Sequence, residues 1–196
     1  MPSTVVIGGF FGDEGKGKII SYLAIHDKPT IVVRGGAGPN AGHTIKDGGK
    51  TYKVRMLPSG FLNKDARVMV GPGVVVNPDV LLNEINEFGV DGRAYIDNNC
   101  GINEQSHRDA DSKGQLKEKI GSTGSGTGPA NAERAMRTLK LAKEIDVLKD
   151  YLIDVPLEVN SALDKGENVL IEGTQGTHLS LWHGKYPFGT TKNVTA

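Results

Sequence analysis

The residues best equipped for chemistry in this chain sit among glycines. Asp13, Glu14, Lys16 and Lys18 lie in the run Gly12-Asp13-Glu14-Gly15-Lys16-Gly17-Lys18. From Gly12 the run fits G-x-x-x-x-G-K, with Ile19 where a Walker A loop carries Ser or Thr. Glycines let backbone N–H groups converge on an anion, and a following helix N-terminus adds a positive field. Lys16 and Lys18 can neutralise phosphate charge. Without the Ser/Thr hydroxyl a Mg²⁺ ion needs another ligand, and Asp13 is the obvious carboxylate. A surface turn with solvated lysines is the plain alternative. Two lysines interleaved with three glycines between a strand and a helix favour phosphate.

Three more loops share this character. The run from Arg34 to Thr44 holds Asn40, Gly42, His43 and Thr44 among four glycines. Asn40 can recognise a phosphate or base edge, and His43 is the residue type that titrates near neutral pH. The run from Gly121 to Pro129 contains Thr123 and leads into a helix bearing Arg134 and Arg137. Arg137 reads either as a phosphate ligand or as a solvated helix charge. The run from Glu172 to Thr177 places the Gln175 amide after a strand, suited to a purine edge. Trp182, Tyr186 and Phe188 either line a pocket or join the core. His178 and His183 lack the Cys or carboxylate spacing of a zinc site.

The elements that must position these loops alternate in type, which predicts an α/β fold. Residues 4–7 read as a buried strand and residues 30–33 as a second. Residues 52–57 and 67–70 are further strand candidates. Ile19, Ile20, Leu23 and Ala24 recur at helical spacing until Asp27-Lys28-Pro29. Asn77-Pro78-Asp79 opens a helix with Leu81, Ile85 and Phe88 on one face. Residues 131–142 predict a helix with Ala132, Ala135, Met136, Leu139 and Ala142 in register. Residues 155–163 predict another, and residues 168–171 a strand. In a parallel sheet the loops after these strands emerge at one carboxyl edge.

The chain has 196 residues, with 23 basic and 23 acidic side chains. Zero formal charge argues against a general nucleic-acid binder. The single cysteine, Cys100, excludes an internal disulfide framework and suits a reducing cytoplasm. No stretch is long enough for a membrane helix, and none resembles a secretion signal.

Taken together, GDEGKGK (residues 12–18), NAGHT (40–44), IGSTGSGTGPA (120–130), EGTQGT (172–177) and HGKYPF (183–188) resemble adenylosuccinate synthetases in sequence and order. The short spacing from Arg137 to Glu172 resembles the compact, archaeal-type branch. The resemblance implies a P-loop-like, mostly parallel sheet with flanking helices, residues 1–196 forming the GTP- and IMP-binding part of one domain. It implies the reaction of GTP, IMP and L-aspartate to GDP, phosphate and adenylosuccinate through a 6-phosphoryl-IMP intermediate, with Mg²⁺, in AMP biosynthesis. Asp13 would take the N1 proton and ligate Mg²⁺ with the Gly42 carbonyl. His43 would act as acid, Lys16 would steady the γ-phosphate, and Gln175 would complete the catalytic set. Gly12, Glu14, Gly15, Gly17, Lys18 and Thr44 would complete the GTP-phosphate site. Asn40, Thr123, Gln175 and Thr190 match IMP contacts. Arg137 matches an arginine reaching the IMP of the neighbouring subunit in a homodimer.

Departures from the family pattern are Phe10-Phe11, where Gln-Trp is usual, and Gly189, where Val is usual. The family's aspartate loop, arginine-rich motif and guanine-recognising Lys-x-Asp lie beyond residue 196. The expectation is therefore a truncated α/β domain, incomplete for catalysis by itself. The rival readings are a non-catalytic purine-nucleotide-binding module and a related ligase acting on another purine monophosphate.

Overall fold

A computed structural model of the chain describes residues 3–36, 38–113 and 116–195; Ala37, within the second glycine loop, lies outside them. Among the described residues ten strands run in chain order as β1 (Thr4–Val6), β2 (Ile31–Arg34), β3 (His43–Asp47), β4 (Lys50–Val54), β5 (Arg67–Val70), β6 (Val75–Val76), β7 (Ala94–Asp97), β8 (Gly101–Ile102), β9 (Leu152–Ile153) and β10 (Val169–Glu172). Six α-helices accompany them among the same described residues: α1 (Lys16–His26), α2 (Pro78–Phe88), α3 (Gln105–Lys113), α4 (Leu116–Ile120), α5 (Thr127–Met136) and α6 (Val155–Asp164).

The main sheet has six strands in the order β1-β10-β2-β5-β7-β9, every neighbouring pair parallel. Its inner strands are β-branched runs because both faces are covered. On one face Val32 packs with Ile20 and Ala24 of α1, and Val68, Val70 and Ile96 pack with Leu81 and Ile85 of α2. On the other face Ile31, Val33 and Met69 meet Val155 and Ala162 of α6. Helix starts follow local chemistry. The Asn77 side chain accepts the Val80 N–H at α2, and Asp154 accepts the Leu157 N–H at α6, each cap followed by a proline in the first turn.

The α/β expectation holds, with corrections to individual elements. The first strand is an edge strand, so Val5 and Ile7 stay 45% and 38% exposed instead of buried. Ile19 faces solvent on α1 while Ile20 and Ala24 are buried. The strand expected over residues 52–57 ends at Val54, in a separate antiparallel hairpin with β3. The buried Glu84 carboxylate accepts the N–H groups of Arg55, Met56 and Leu57, drawing those residues away from any ladder. The helix expected over residues 131–142 instead starts at Thr127 and ends at Met136. Arg137 adopts a left-handed conformation, φ 67°, and Thr138 N–H returns to the Glu133 carbonyl, a closing motif usually flagged by glycine. Ala142 falls in a 3-10 turn beyond it. Trp182, Tyr186 and Phe188 are not core; they are 76%, 91% and 61% exposed.

Candidate functional site

The strand order explains why the glycine loops meet. The first, second and fourth loops follow β1, β2 and β10, which are neighbours in the sheet. Their parallel direction sends all three loops out at one carboxyl edge. Backbone hydrogen bonds tie them together: Gly173 N–H to the Val6 carbonyl (2.9 Å), Gly35 N–H to Glu172 (2.9 Å) and Thr177 N–H to Gly8 (3.0 Å). The glycines permit this contact. A Cβ on Gly176 would stand 2.4 Å from the Phe10 carbonyl oxygen, and one on Gly17 would stand 2.6 Å from His43 Nδ1. Side chains there would push the phosphate loop off both neighbours.

Over this edge opens a cavity of about 970 Å³. The whole run Gly12, Asp13, Glu14, Gly15, Lys16, Gly17 and Lys18 lines it, with Asn40, Gly42, His43, Thr44, Thr123, Gln175 and Thr190. The structure thus gathers every expected site residue except Arg137. That arginine is exposed at the end of α5, away from this cavity. Phe188 and Gly189 also line the wall. Phe10 and Phe11 pack edge to face at 4.8 Å and both contact the His178 ring, an aromatic cluster beside the phosphate loop.

Helix α1 begins at Lys16 with Gly15 in the left-handed region, φ 78°, and no side-chain cap. Its first turn therefore offers backbone N–H groups to the cavity, as an anion site requires. Lys16 is buried; its ammonium donates to the Gln175 carbonyl and lies 3.9 Å from Glu14 Oε2. Asp13 and Gln175 both hold positive φ, 53° and 50°. Such strain in non-glycine residues persists where surrounding structure enforces it, and it gathers at ligand sites. The Gln175 amide oxygen accepts the Thr174 hydroxyl at 2.7 Å, leaving its NH₂ as the group to offer a ligand. Asn40 is aimed the same way, its oxygen accepting the Gly38 N–H at 3.2 Å.

His43 is held by residues to which no role falls in the sequence reading. Its Nδ1 lies 2.7 Å from Glu172 Oε1 and 3.2 Å from Ser59 Oγ. Glu172 is fully buried and also accepts the Ser59 N–H and hydroxyl. Burial alone would raise its carboxyl. The hydrogen bond and charge of His43, the Arg34 guanidinium and the Ser59 N–H outweigh burial and hold it below the ordinary carboxylate value. Arg34, also fully buried, donates to the Leu57 and Ala41 carbonyls. Burial lowers its pKa, against the charges of Glu172 and Glu84. An ionised Glu172 makes Nδ1 the donor and leaves Nε2 for chemistry. A signal for this network was present: Arg34 and Glu172 are the charged last residues of otherwise apolar strands, IVVR and VLIE.

Asp111 of α3 was equally unmarked. Buried beneath the third loop, it accepts the Ser122 hydroxyl at 2.5 Å and the Gly126 N–H at 2.8 Å. Thr123 lies between these two anchors.

The family model for adenylosuccinate synthetase matches residues 5–146 and 138–196. The chain belongs to the adenylosuccinate synthetase family. It is 56% identical over 197 residues to the adenylosuccinate synthetase of Methanocaldococcus jannaschii, covering 98% of this chain and 57% of that protein. It is 54% identical to that of Archaeoglobus fulgidus, covering 100% of this chain and 58% of the relative. The chain therefore spans somewhat over half the length of these relatives. Among solved structures it resembles the fully ligated adenylosuccinate synthetase of Plasmodium falciparum, with TM-score 0.88 and 28% identity over 98% of this chain and 56% of that one. It also resembles the cyanophage S-2L succinoaminodeoxyadenylate synthetase bound to dGMP and dATP, with TM-score 0.83 and 29% identity over 98% and 57% of the two chains. The relatives named here are archaeal, and the solved synthetases agree with the parallel sheet.

Proposed function

We propose that this chain forms the nucleotide-handling part of a cytoplasmic adenylosuccinate synthetase, which joins L-aspartate to IMP at the expense of GTP. The observation that carries this reading is the convergence of Asp13, Lys16 and His43 on one cavity, with His43 pinned by a buried carboxylate. Phosphoryl transfer demands positioning and charge neutralisation more than covalent help.

In this reading the α1 N-terminus, Lys16 and Lys18 receive the GTP phosphates. Asp13 accepts the N1 proton of IMP, so that O6 attacks the γ-phosphorus, the bond to GDP breaks, and 6-phosphoryl-IMP forms. His43, held by Glu172 through Nδ1, donates from Nε2 to the transferring group once the ring carries a proton on both nitrogens. The Gln175 NH₂ and the Asn40 NH₂ orient the purine nucleotide, with Thr123 and Thr190 closing around it. The aspartate amine then displaces phosphate at C6. Lys16 must exchange the Gln175 carbonyl for phosphate oxygen as the nucleotide enters. Arg137, exposed and off its own cavity, serves the IMP of a second subunit.

The residues present fit Mg²⁺. Among the described residues no three His, Cys, Asp or Glu side chains cluster as a protein-only metal cage. One carboxylate and one carbonyl beside bound phosphates is the arrangement this ion favours. Asp13 and the Gly42 carbonyl would hold it, and it would neutralise charge developing on the phosphates.

Titrating IMP and GTP by calorimetry, then assaying phosphate release on adding L-aspartate, tests the reading. Nucleotide binding with phosphate release that depends on IMP supports it. Binding without any turnover, in a chain of the relatives' full length, favours the non-catalytic module. Preference for dGMP over IMP favours the alternative ligase.

A further inference from the structure

Helix α3 is held in place by polar side chains. Its sequence, QSHRDADSK, has one apolar residue, Ala110, and that one is exposed. The side chains it buries are His107 and Asp111, four apart and so on one face. Asp111 reaches the third loop through Ser122 and Gly126. His107, only 2% exposed, is the other anchor.

Both ring nitrogens of His107 are committed. Nδ1 accepts the Glu104 N–H at 2.9 Å, closing the first turn of α3 as a glutamate does in a capping box. The proton of the neutral ring therefore sits on Nε2. Nε2 lies 2.9 Å from Glu133 Oε2 on α5, off the axis of an ideal hydrogen bond, and has no other acceptor among the described residues. A buried polar nitrogen is costly without a partner, so this carboxylate draws α5 onto α3. The third loop turns directly over the contact. A Cβ on Gly126 would stand 2.7 Å from the Arg108 backbone nitrogen and 2.8 Å from the His107 carbonyl carbon.

Helix α5 in turn carries two parts of the cavity wall. The third loop runs into its first residue, Thr127, and Thr123, Ser125 and Thr127 line the cavity. One turn on, Asn131 donates to the Thr191 hydroxyl at 2.8 Å and to the Thr127 carbonyl at 2.9 Å. Thr190 and Thr191 line the same cavity. The apolar side chain that α5 buries is Ala130, a single methyl group, so polar contacts decide where this helix sits. The phosphate loop and His43 rest on other elements, α1 and β3.

We propose that His107 and Glu133 are positioning residues. By holding α3 to α5 they keep the third loop and the Thr190–Thr191 segment in register as one wall of the nucleotide cavity. Neither lines that cavity, so both act through Thr123 and Thr190. That the ligand served is IMP rests on the proposed ligase function; the clamp itself does not.

Three variants of the full chain test it, read by amide hydrogen exchange and by calorimetry with IMP and GTP. Glu133→Ala removes the clamp and leaves the helix cap. His107→Asn does the same from the other side, because the asparagine oxygen replaces Nδ1 as acceptor. Each should speed exchange of the Gly126 amide and weaken IMP binding, both roughly tenfold, the scale of one lost buried hydrogen bond. GTP affinity should stay within about twofold, and the amides of β2 and β5 should keep their protection. Glu133→Gln still offers Nε2 an acceptor and should behave as the unaltered chain. Long-range ¹⁵N–¹H correlation should show His107 with a protonated Nε2 and a bare Nδ1. Unchanged Gly126 exchange in Glu133→Ala or His107→Asn, a Glu133→Gln variant as impaired as the alanine, equal loss of IMP and GTP, or a proton on Nδ1 would each overturn the proposal. If IMP does not bind the unaltered chain, the ligase reading falls, and exchange at Gly126 still decides whether the clamp holds the loop.

Discussion

The buried carboxylate behind His43 decides what that imidazole can offer. With Glu172 Oε1 at 2.7 Å, the proton of the neutral ring belongs on Nδ1. Long-range ¹⁵N–¹H correlation should show a protonated Nδ1 and a bare Nε2; the opposite tautomer would disprove the arrangement. Removing the carboxylate has a second consequence, because Arg34 is fully buried and loses the counter-charge that acts on it most strongly. Glu172→Ala should therefore destabilise the fold by ~3–5 kcal/mol, the scale for a stranded buried charge. Glu172→Gln strands the same charge but keeps an acceptor for Nδ1 and the Ser59 hydroxyl, so it should cost less than the alanine; urea denaturation measures both. Cys100 is the contrasting case. Burial, then the nearby Asp97 charge, pushes its thiol up to about 12, so it holds almost no thiolate near neutral pH. Native protein should resist alkylation at pH ~8 and react fully once unfolded; rapid native labelling would show the site to be open.

At the scale of elements, the loops are placed by strands and trimmed by glycines. Gly17 illustrates the tolerance, because a methyl group there meets His43 at 2.6 Å. Gly17→Ala should cost ~1–3 kcal/mol and weaken GTP binding through the displaced phosphate loop, as overpacking does; calorimetry on the folded variant checks it. The third loop depends instead on Asp111. Asp111→Ala frees Ser122 and Gly126 together, so IMP affinity should fall by roughly tenfold through Thr123. GTP affinity should stay within about twofold, and an equal loss of both ligands would refute a local role. These elements were unevenly legible. The glycine runs and the helix after Asn77-Pro78 announce themselves through turn and cap chemistry. The end of α5 does not, because its left-handed closing residue is Arg137 and not glycine. The strand β7 also escapes the sequence reading, as four residues carry too little pattern to separate it from a loop. Buried Glu84, Asp111 and Glu172 escape for a different reason: their partners are backbone groups of distant loops, which no spacing records.

Across the whole molecule, two buried glutamates pull stability in opposite directions with pH. The network around Glu172 holds its folded value below the ordinary one. Its contribution is therefore complete above the unfolded value, roughly 4.3, and is lost as pH falls through the lower folded value. Glu84 is the reverse. Burial raises its carboxyl despite three backbone N–H donors and the Arg34 charge. Its ionisation opposes folding, so stability gains as pH falls from neutral through the raised value towards the unfolded one. Both carboxylates face the same arginine, Arg34, one across the strand ends and one beneath the turn at residues 55–57. The chain should therefore become more stable on mild acidification and then lose stability below pH ~4. Urea melts across that range resolve the two limbs. Glu84→Gln should remove the rise and leave the acid limb, while Glu172→Gln should blunt the acid limb and leave the rise. A monotonic decline from neutral pH in the unmodified protein would contradict the assignment to Glu84, and an acid limb unchanged by Glu172→Gln would contradict the assignment to Glu172.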